Sequence, residues 1–260
     1  MIVTPTSRPE FCALIPPGAT MLEIGPYAKP VYRRPQHNVY YADMYSIEQI
    51  KQNISLFGHA NINELPDTIH IVMDPAARPT FQSDLKVDYI FSSHNIEHIP
   101  DIINHLQEVA SLAASKNTKY HLAIPDKRYC FDHWQALTHF PKMIHAYRNQ
   151  AVKNTYQSVL ENSVFVSHNE SGIHWQAQHG DDPFIYPAPD SFIQKIRDCM
   201  TKADAVNTEY VDAHNWQFVP ASFFYNIDIL TKLDLIPWKV TRVYETAHGS
   251  NEFFAILELR

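Results

Sequence analysis

Acidic and hydroxyl side chains recur at the carboxyl ends of short apolar runs, at Asp43, Asp74, Ser92 and Asp126, and a Gly25-Pro26 turn closes the first run. A nucleoside can be held by little more than this. Gly25 offers one close backbone approach, Asp43 a carboxylate for ribose hydroxyls, and Asp74 a further polar contact for a base. A dinucleotide asks for more, because its pyrophosphate is cradled by G-x-G-x-x-G at a helix start. With 6 Gly against 18 Pro in the chain, such a cradle has few places to sit.

A second group of residues points to proton or metal chemistry. His94, Glu97 and His98 stand at i, i+3 and i+4, which one helical turn would bring to a single face. Two imidazoles and a carboxylate can hold a divalent ion with room left for substrate oxygens, and this donor set suits Mn, Fe or Zn better than Mg. The competing reading is that Glu97 and His98 merely fix the turn before Pro100 while His94 lines a pocket. Histidine titrates in the range useful to a general base, so His94 is the first candidate for that role, with His214 and His98 behind it. Among the 15 histidines, His105 and His145 read as exposed helical positions. Asp126, Lys127, Arg128 and Tyr129 follow the fifth apolar run and could bind an anionic or polyhydroxylated substrate through charge-assisted bonds and ring stacking. The alternative is a pair of surface charges anchoring the segment that follows. Trp216, with Trp134, Phe140, Tyr147, Trp175 and Tyr186, could supply a stacking wall or simply pack in the core.

These residues need a scaffold that gathers strand ends. The runs Met21–Pro26, Val39–Asp43, Ile69–Asp74, Val87–Ser92 and Tyr120–Asp126 read as strands, and helical spacing separates several of them. Ser46 and Gln49 form a capping pair ahead of Ile47, Ile50 and Ile54, and Ile102 through Ala113 marks another helical face. Strands alternating with helices predict a parallel sheet whose ligands sit beyond the strand carboxyl ends. Asp190 is expected to cap a helix carrying Phe192, Ile193, Ile196 and Met200, packed on the sheet. Pro220–Leu233 reads as a helix, and the runs at 238–244 and 253–259 as a hairpin. The expected fold is α/β, a Rossmann-like, mostly parallel seven-stranded sheet with an antiparallel C-terminal hairpin strand. Residues 1–126 and 211–260 would form its core and residues 127–210 an inserted helical cap.

Composition narrows the partners. Lys and Arg total 21 against 28 Asp and Glu, a net charge of −7, so no basic field attracts nucleic acid. Cys12, Cys130 and Cys199 are widely spaced, which argues against a disulfide framework or a cysteine-rich zinc site. No window reaches the roughly 20 apolar residues of a membrane span, and the opening residues lack the form of a secretion signal. A cytoplasmic protein without a transmembrane segment is the expectation.

The chain resembles the class I S-adenosylmethionine-dependent methyltransferases. Leu22-Glu23-Ile24-Gly25-Pro26 is similar to their first motif, Asp43 to the ribose-binding acid, Asp74 to the acid near the adenine, and Ser92 through Asp101 to the fourth-strand motif. The resemblance implies S-adenosylmethionine as cofactor, with Glu23, Gly25, Pro26, Asp43, Asp74 and Ser92 around it. Residues 124–132 and 210–220 resemble methyltransferase-domain proteins encoded beside glycosyltransferases in bacterial surface-polysaccharide clusters. That narrower likeness implies O-methylation of a sugar or glycan hydroxyl, with a glycosyltransferase as a possible partner. The His94–His98 segment also resembles the E-x-x-E-H turn of small-RNA and ubiquinone-pathway O-methyltransferases, which binds magnesium, with His94 in place of the first Glu. Two rivals stand beside this reading. One is a catalytically silent cofactor-binding partner of a glycosyltransferase; the other is an NAD-dependent oxidoreductase, for which no Tyr-x-x-x-Lys pair is present.

Overall fold

A computed structural model describes residues 4–57, 60–74, 77–78, 80–81 and 83–260; of the opening stretch, residues 1–3 lie outside the described residues. Strands β1 (Thr20–Ile24), β2 (Asn38–Asp43), β3 (Ile71–Val72), β4 (Tyr89–Ser93), β5 (Lys119–Pro125), β6 (Trp238–Tyr244) and β7 (Glu252–Leu259) form one sheet in the order β3-β2-β1-β4-β5-β7-β6. Neighbours are parallel from β3 to β5, and β7 runs antiparallel to both β5 and β6. The α/β, mostly parallel sheet with an antiparallel C-terminal hairpin is therefore as expected. Strand order reverses between β1 and β4, which opens a crevice beyond their carboxyl ends.

The central strands are mostly apolar and largely buried because both faces of the sheet are covered. Met21 to Ile24 and Tyr120 to Pro125 are buried throughout. On one face pack α3 (Ile102–Ser111) and α8 (Pro220–Lys232), with Leu106, Phe223, Leu230 and Trp238 in the shared core. The other face is closed by α1 (Arg8–Cys12) and α2 (Ile47–Phe57), through Phe11, Tyr32, Ile50 and Ile54. The Ser46–Gln49 capping pair forms reciprocally, Gln49 Oε1 accepting from the Ser46 N–H at 2.8 Å and Ser46 Oγ from the Gln49 N–H at 3.3 Å.

Between β5 and α8 lie α4 (Phe140–Arg148), α5 (Tyr156–Val164), α6 (Ser171–His174) and α7 (Asp190–Asp204). Met143 puts α4 into the sheet core alongside α3 and α8, so the part remote from the sheet begins after it.

Three local expectations are corrected. The third strand is two residues long, because the Tyr41 N–H is taken by the His70 ring Nδ1 at 3.1 Å and regular pairing starts only at Ala42 and Ile71. Helix α7 packs on α5, where Val159, Ala203 and Val206 meet, rather than on the sheet. Its N-cap is Pro189, not Asp190, and no side chain bonds that end. His105 is fully buried, its Nε2 3.1 Å from the Tyr120 hydroxyl, and burial pushes its pKa down to about 4. Ile102 at i−3 and Val109 at i+4 share that inward face of α3.

Candidate functional site

A cavity of about 620 Å³ occupies the crevice, lined by Gly25, Asp43 and Asp74 from the first strand ends and by Asn95, His98 and Asp212 from the opposite side. Its size lies within the range of small-molecule sites. Gly25 has φ +70°, and a Cβ built on it would lie 2.4 Å from Asn95 Nδ2, so both the backbone conformation and the space require glycine. Asp43 is buried at the end of β2. Its carboxylate accepts the Tyr27 N–H at 3.0 Å and the Tyr45 N–H at 3.1 Å, which fixes it at the cavity wall. Burial pushes its pKa up against these bonds.

The turn after β1 uses its own amides. Gly25 N–H donates to Ala42 C=O at 2.8 Å and Lys29 N–H to Pro26 C=O at 2.9 Å. Val31 and Tyr32 N–H groups donate to Glu23 at 2.7 and 3.0 Å. No helix follows β1 before β2. A pyrophosphate would find the amides of Gly25, Tyr27, Lys29, Val31 and Tyr32 taken and no helix N-terminus here. Glu23 is thus an anchor for the loop, buried and pushed up to about 7 by that burial.

The opposite wall is assembled from distant segments. Glu97 C=O accepts N–H groups of Asn215 at 2.7 Å and Trp216 at 3.3 Å. Trp216 Nε1 donates to Ile99 C=O at 2.6 Å, and Asn215 Nδ2 to His98 C=O at 3.1 Å. This clamp carries His214 against the 97–99 turn, where the rings of His98 and His214 meet edge to face with centroids 4.5 Å apart. Asp212 accepts from His98 Nδ1 at 2.8 Å and Asp132 from His214 Nδ1 at 2.6 Å. The two Nε2 atoms then face Glu97 Oε1, at 3.8 and 3.9 Å. Glu97 is fully buried, and neither carboxylate oxygen has a hydrogen-bond partner among the described residues. Burial lowers the His98 pKa, but the Asp212 bond and the nearby Glu97 and Asp132 charges outweigh it, and the ring is pushed up to about 9.

One potential ligand atom each from Glu97, His98 and His214 lies within 4.8 Å of the other two. This replaces the expected His94-Glu97-His98 set. His94 adopts φ +47° and ends the strand instead of entering the helical turn, which spans Ile96–His98. Its Nε2 lies 3.1 Å from Glu252, a carboxylate also gripped by Arg8 at 2.6 Å.

Other expected site residues sit away from the cavity. Ser92 is buried with its hydroxyl 2.9 Å from that of Tyr120, and Pro26 is buried beside the turn. Asp126 is buried and clamps Arg128 through Nε at 3.0 Å and Nη2 at 2.6 Å, while also accepting from Thr246. Lys127 Nζ donates to His133 C=O at 2.6 Å. Tyr129 stacks on Trp175 with centroids 3.9 Å apart, and Trp216 is 2% exposed. These side chains are engaged in holding loops and core together. The sequence reading passed over Asn95, Tyr45, Tyr210, Asp132 and Asp212. The Asp212-x-His214 spacing was the signal available for the last of these, since an acid two residues before an imidazole on extended chain shares its face.

No family model and no curated protein matches the chain. Among solved structures, an S-adenosylmethionine-dependent methyltransferase from Aquifex aeolicus aligns over 98% of this chain and 91% of its own, at 11% identity and TM-score 0.43. A Rhodobacter sphaeroides protein described as a zinc-dependent alcohol dehydrogenase aligns over 98% and 90%, at 12% and 0.47. The CcbJ methyltransferase from Streptomyces caelestis aligns over 96% and 86%, at 8% and 0.46. Identities and scores this low carry no function across, so the reading below rests on the site itself.

Proposed function

We propose that the chain is an S-adenosylmethionine-dependent O-methyltransferase acting on a sugar or glycan hydroxyl. The observation that carries this reading is the turn after β1, whose amides at Gly25, Tyr27, Lys29, Val31 and Tyr32 are bonded within the protein, beside a buried acid, Asp43, in one cavity with His98. That arrangement suits an adenosine without a pyrophosphate. Gly25 would face the cofactor backbone, Asp43 the ribose hydroxyls and Asp74 the adenine side. Tyr45 and Tyr210, also on the wall, offer ring faces for a sugar and hydroxyls for its oxygens. The acceptor would come from a glycosyltransferase product, with residues 127–210 as the cap over it; Val152 and Tyr210 already reach the cavity.

Methyl transfer is an in-line displacement at the sulfonium carbon. The acceptor oxygen forms the new C–O bond as the C–S bond breaks, leaving S-adenosylhomocysteine, and the hydroxyl proton must go to the protein. His214 is placed to receive it, because His98, pushed up to about 9 by its acidic neighbours, already carries a proton. Asp212 and Asp132 fix the outer nitrogens of the rings, and the inner ones face Glu97. The trio also fits a divalent ion of the Mn, Fe or Zn kind: two imidazole nitrogens, an unpartnered carboxylate, and a carboxylate behind each ring to set its orientation. Bound there, such an ion would lower the acceptor hydroxyl's pKa.

The experiment is turnover of methyl-labelled S-adenosylmethionine on a panel of glycan, small-phenol and amine acceptors. A base-stable methyl ether on a glycan supports the reading. Labelling confined to phenols or amines would remove the sugar, and cofactor binding with no turnover on any acceptor would favour the silent-partner reading.

A further inference from the structure

The segment between β5 and α8 holds a second cluster of imidazoles, outside the cavity. His133 follows the turn at Lys127–Tyr129, His174 ends α6, and His179 lies in the loop beyond it. One ring nitrogen from each lies within 4.8 Å of the other two. His174 is 1% exposed, and the other two are half-buried.

Hydrogen bonding identifies the nitrogens that are free to bind. His133 Nδ1 lies 2.8 Å from Arg128 C=O, and His174 Nε2 lies 3.0 Å from His168 C=O. A carbonyl can only accept, so each of those nitrogens carries its ring's proton and the other nitrogen keeps a lone pair. The Nδ1 atoms of His174 and His179 are hydrogen-bonded to each other at 3.0 Å, a bond that an ion between them would replace. Two imidazoles on one ion, each about 2.0–2.1 Å from it, have nitrogens at about that separation. Backbone carbonyls behind coordinated imidazoles are the usual means of fixing their tautomer. His168, whose ring stacks on His174, has both nitrogens engaged: Nε2 at Gln178 C=O, 3.0 Å, and Nδ1 accepting from Glu170 N–H, 3.2 Å. The trio contains no carboxylate, and an all-imidazole set favours Zn, Ni or Co over Mg or Ca.

We propose that His133, His174 and His179 bind one divalent transition ion of the zinc class, which ties the turn after β5 to the α6 loop. This site is independent of the methyltransferase reading.

The test is calorimetric titration of Zn²⁺ into untagged, chelator-stripped full-length protein with Mg²⁺ in excess, with Co²⁺ absorption spectra as a second readout. His98→Ala silences the cavity trio and should leave one tight Zn²⁺ per chain. His133→Gln or His179→Gln, both half-exposed and so compatible with folding, should each weaken that ion by about tenfold or more. His168→Gln should leave it unchanged, because its backbone carbonyl stays in place. Failure of the His98→Ala protein to bind Zn²⁺, undiminished binding in both Gln variants, or an equal loss in His168→Gln would each overturn the proposal.

Discussion

The two walls of the cavity are built on opposite plans. On the β1–β3 side, Gly25, Asp43 and Asp74 each close their own strand or lie just past it, so the position of every group follows from one local element. On the other side, Glu97, His98, Asp132, Asp212 and His214 come from three separated segments, joined by backbone bonds from Asn215 and Trp216 to Glu97. The first wall is stiff because the sheet is stiff. The second is placed by a clamp and contains a fully buried carboxylate that faces two imidazoles at 3.8 and 3.9 Å without a hydrogen bond among the described residues, an arrangement that costs stability and that proteins keep where charge is used.

The largest effect should come from breaking the clamped wall. Glu97→Gln or His214→Ala is expected to lower methyl transfer by about 10²–10⁴-fold while S-adenosylhomocysteine affinity, measured by calorimetry, stays at the wild-type level.

Next in size is an effect the two walls share through the core. His105 and His121 are buried and pushed down to about 4 and about 3. The unfolded chain binds their protons near pH 6.5 and the folded chain does not, so stability is full above pH 6.5 and is lost on acidification, by about 3 kcal/mol at pH 4 for His105 alone. Glu23, raised to about 7, acts in the opposite sense between pH 4.5 and 7. Urea unfolding at stepped pH should show the histidines prevailing, and His105→Gln should flatten the slope.

The local wall should yield smaller changes. Gly25→Ala pushes a methyl onto Asn95 at positive φ and should cost about 1–3 kcal/mol of stability together with cofactor affinity. Asp43→Asn keeps the shape but loses charge and one acceptor, and should weaken S-adenosylhomocysteine by about tenfold, or about 1.4 kcal/mol. An equal loss of cofactor affinity in His214→Ala and Asp43→Asn would erase the division between the walls.

The same division explains what could be read from sequence. Asp43 ends a short apolar run, Val39-Tyr40-Tyr41-Ala42, that reads as a buried strand, so its place follows from that one element. The His94-x-x-Glu97-His98 spacing was read as a helical turn, but a positive φ at His94 turned that ring to Glu252. Nothing in the spacing of one segment tells that His214, over a hundred residues later, fills the vacant place. Asp126, Arg128 and Tyr129 likewise read as ligand groups from their position after β5, whereas a bidentate ion pair and a ring stack occupy them.

Native mass spectrometry of the untagged protein, incubated with equal S-adenosylhomocysteine and NAD, addresses the adenosine site most directly. One S-adenosylhomocysteine per chain, lost or much reduced in Asp43→Asn and retained in His214→Ala, is the expected spectrum. Preferential retention of NAD, or no adduct at all, would refute an adenosine cofactor held by Gly25 and Asp43.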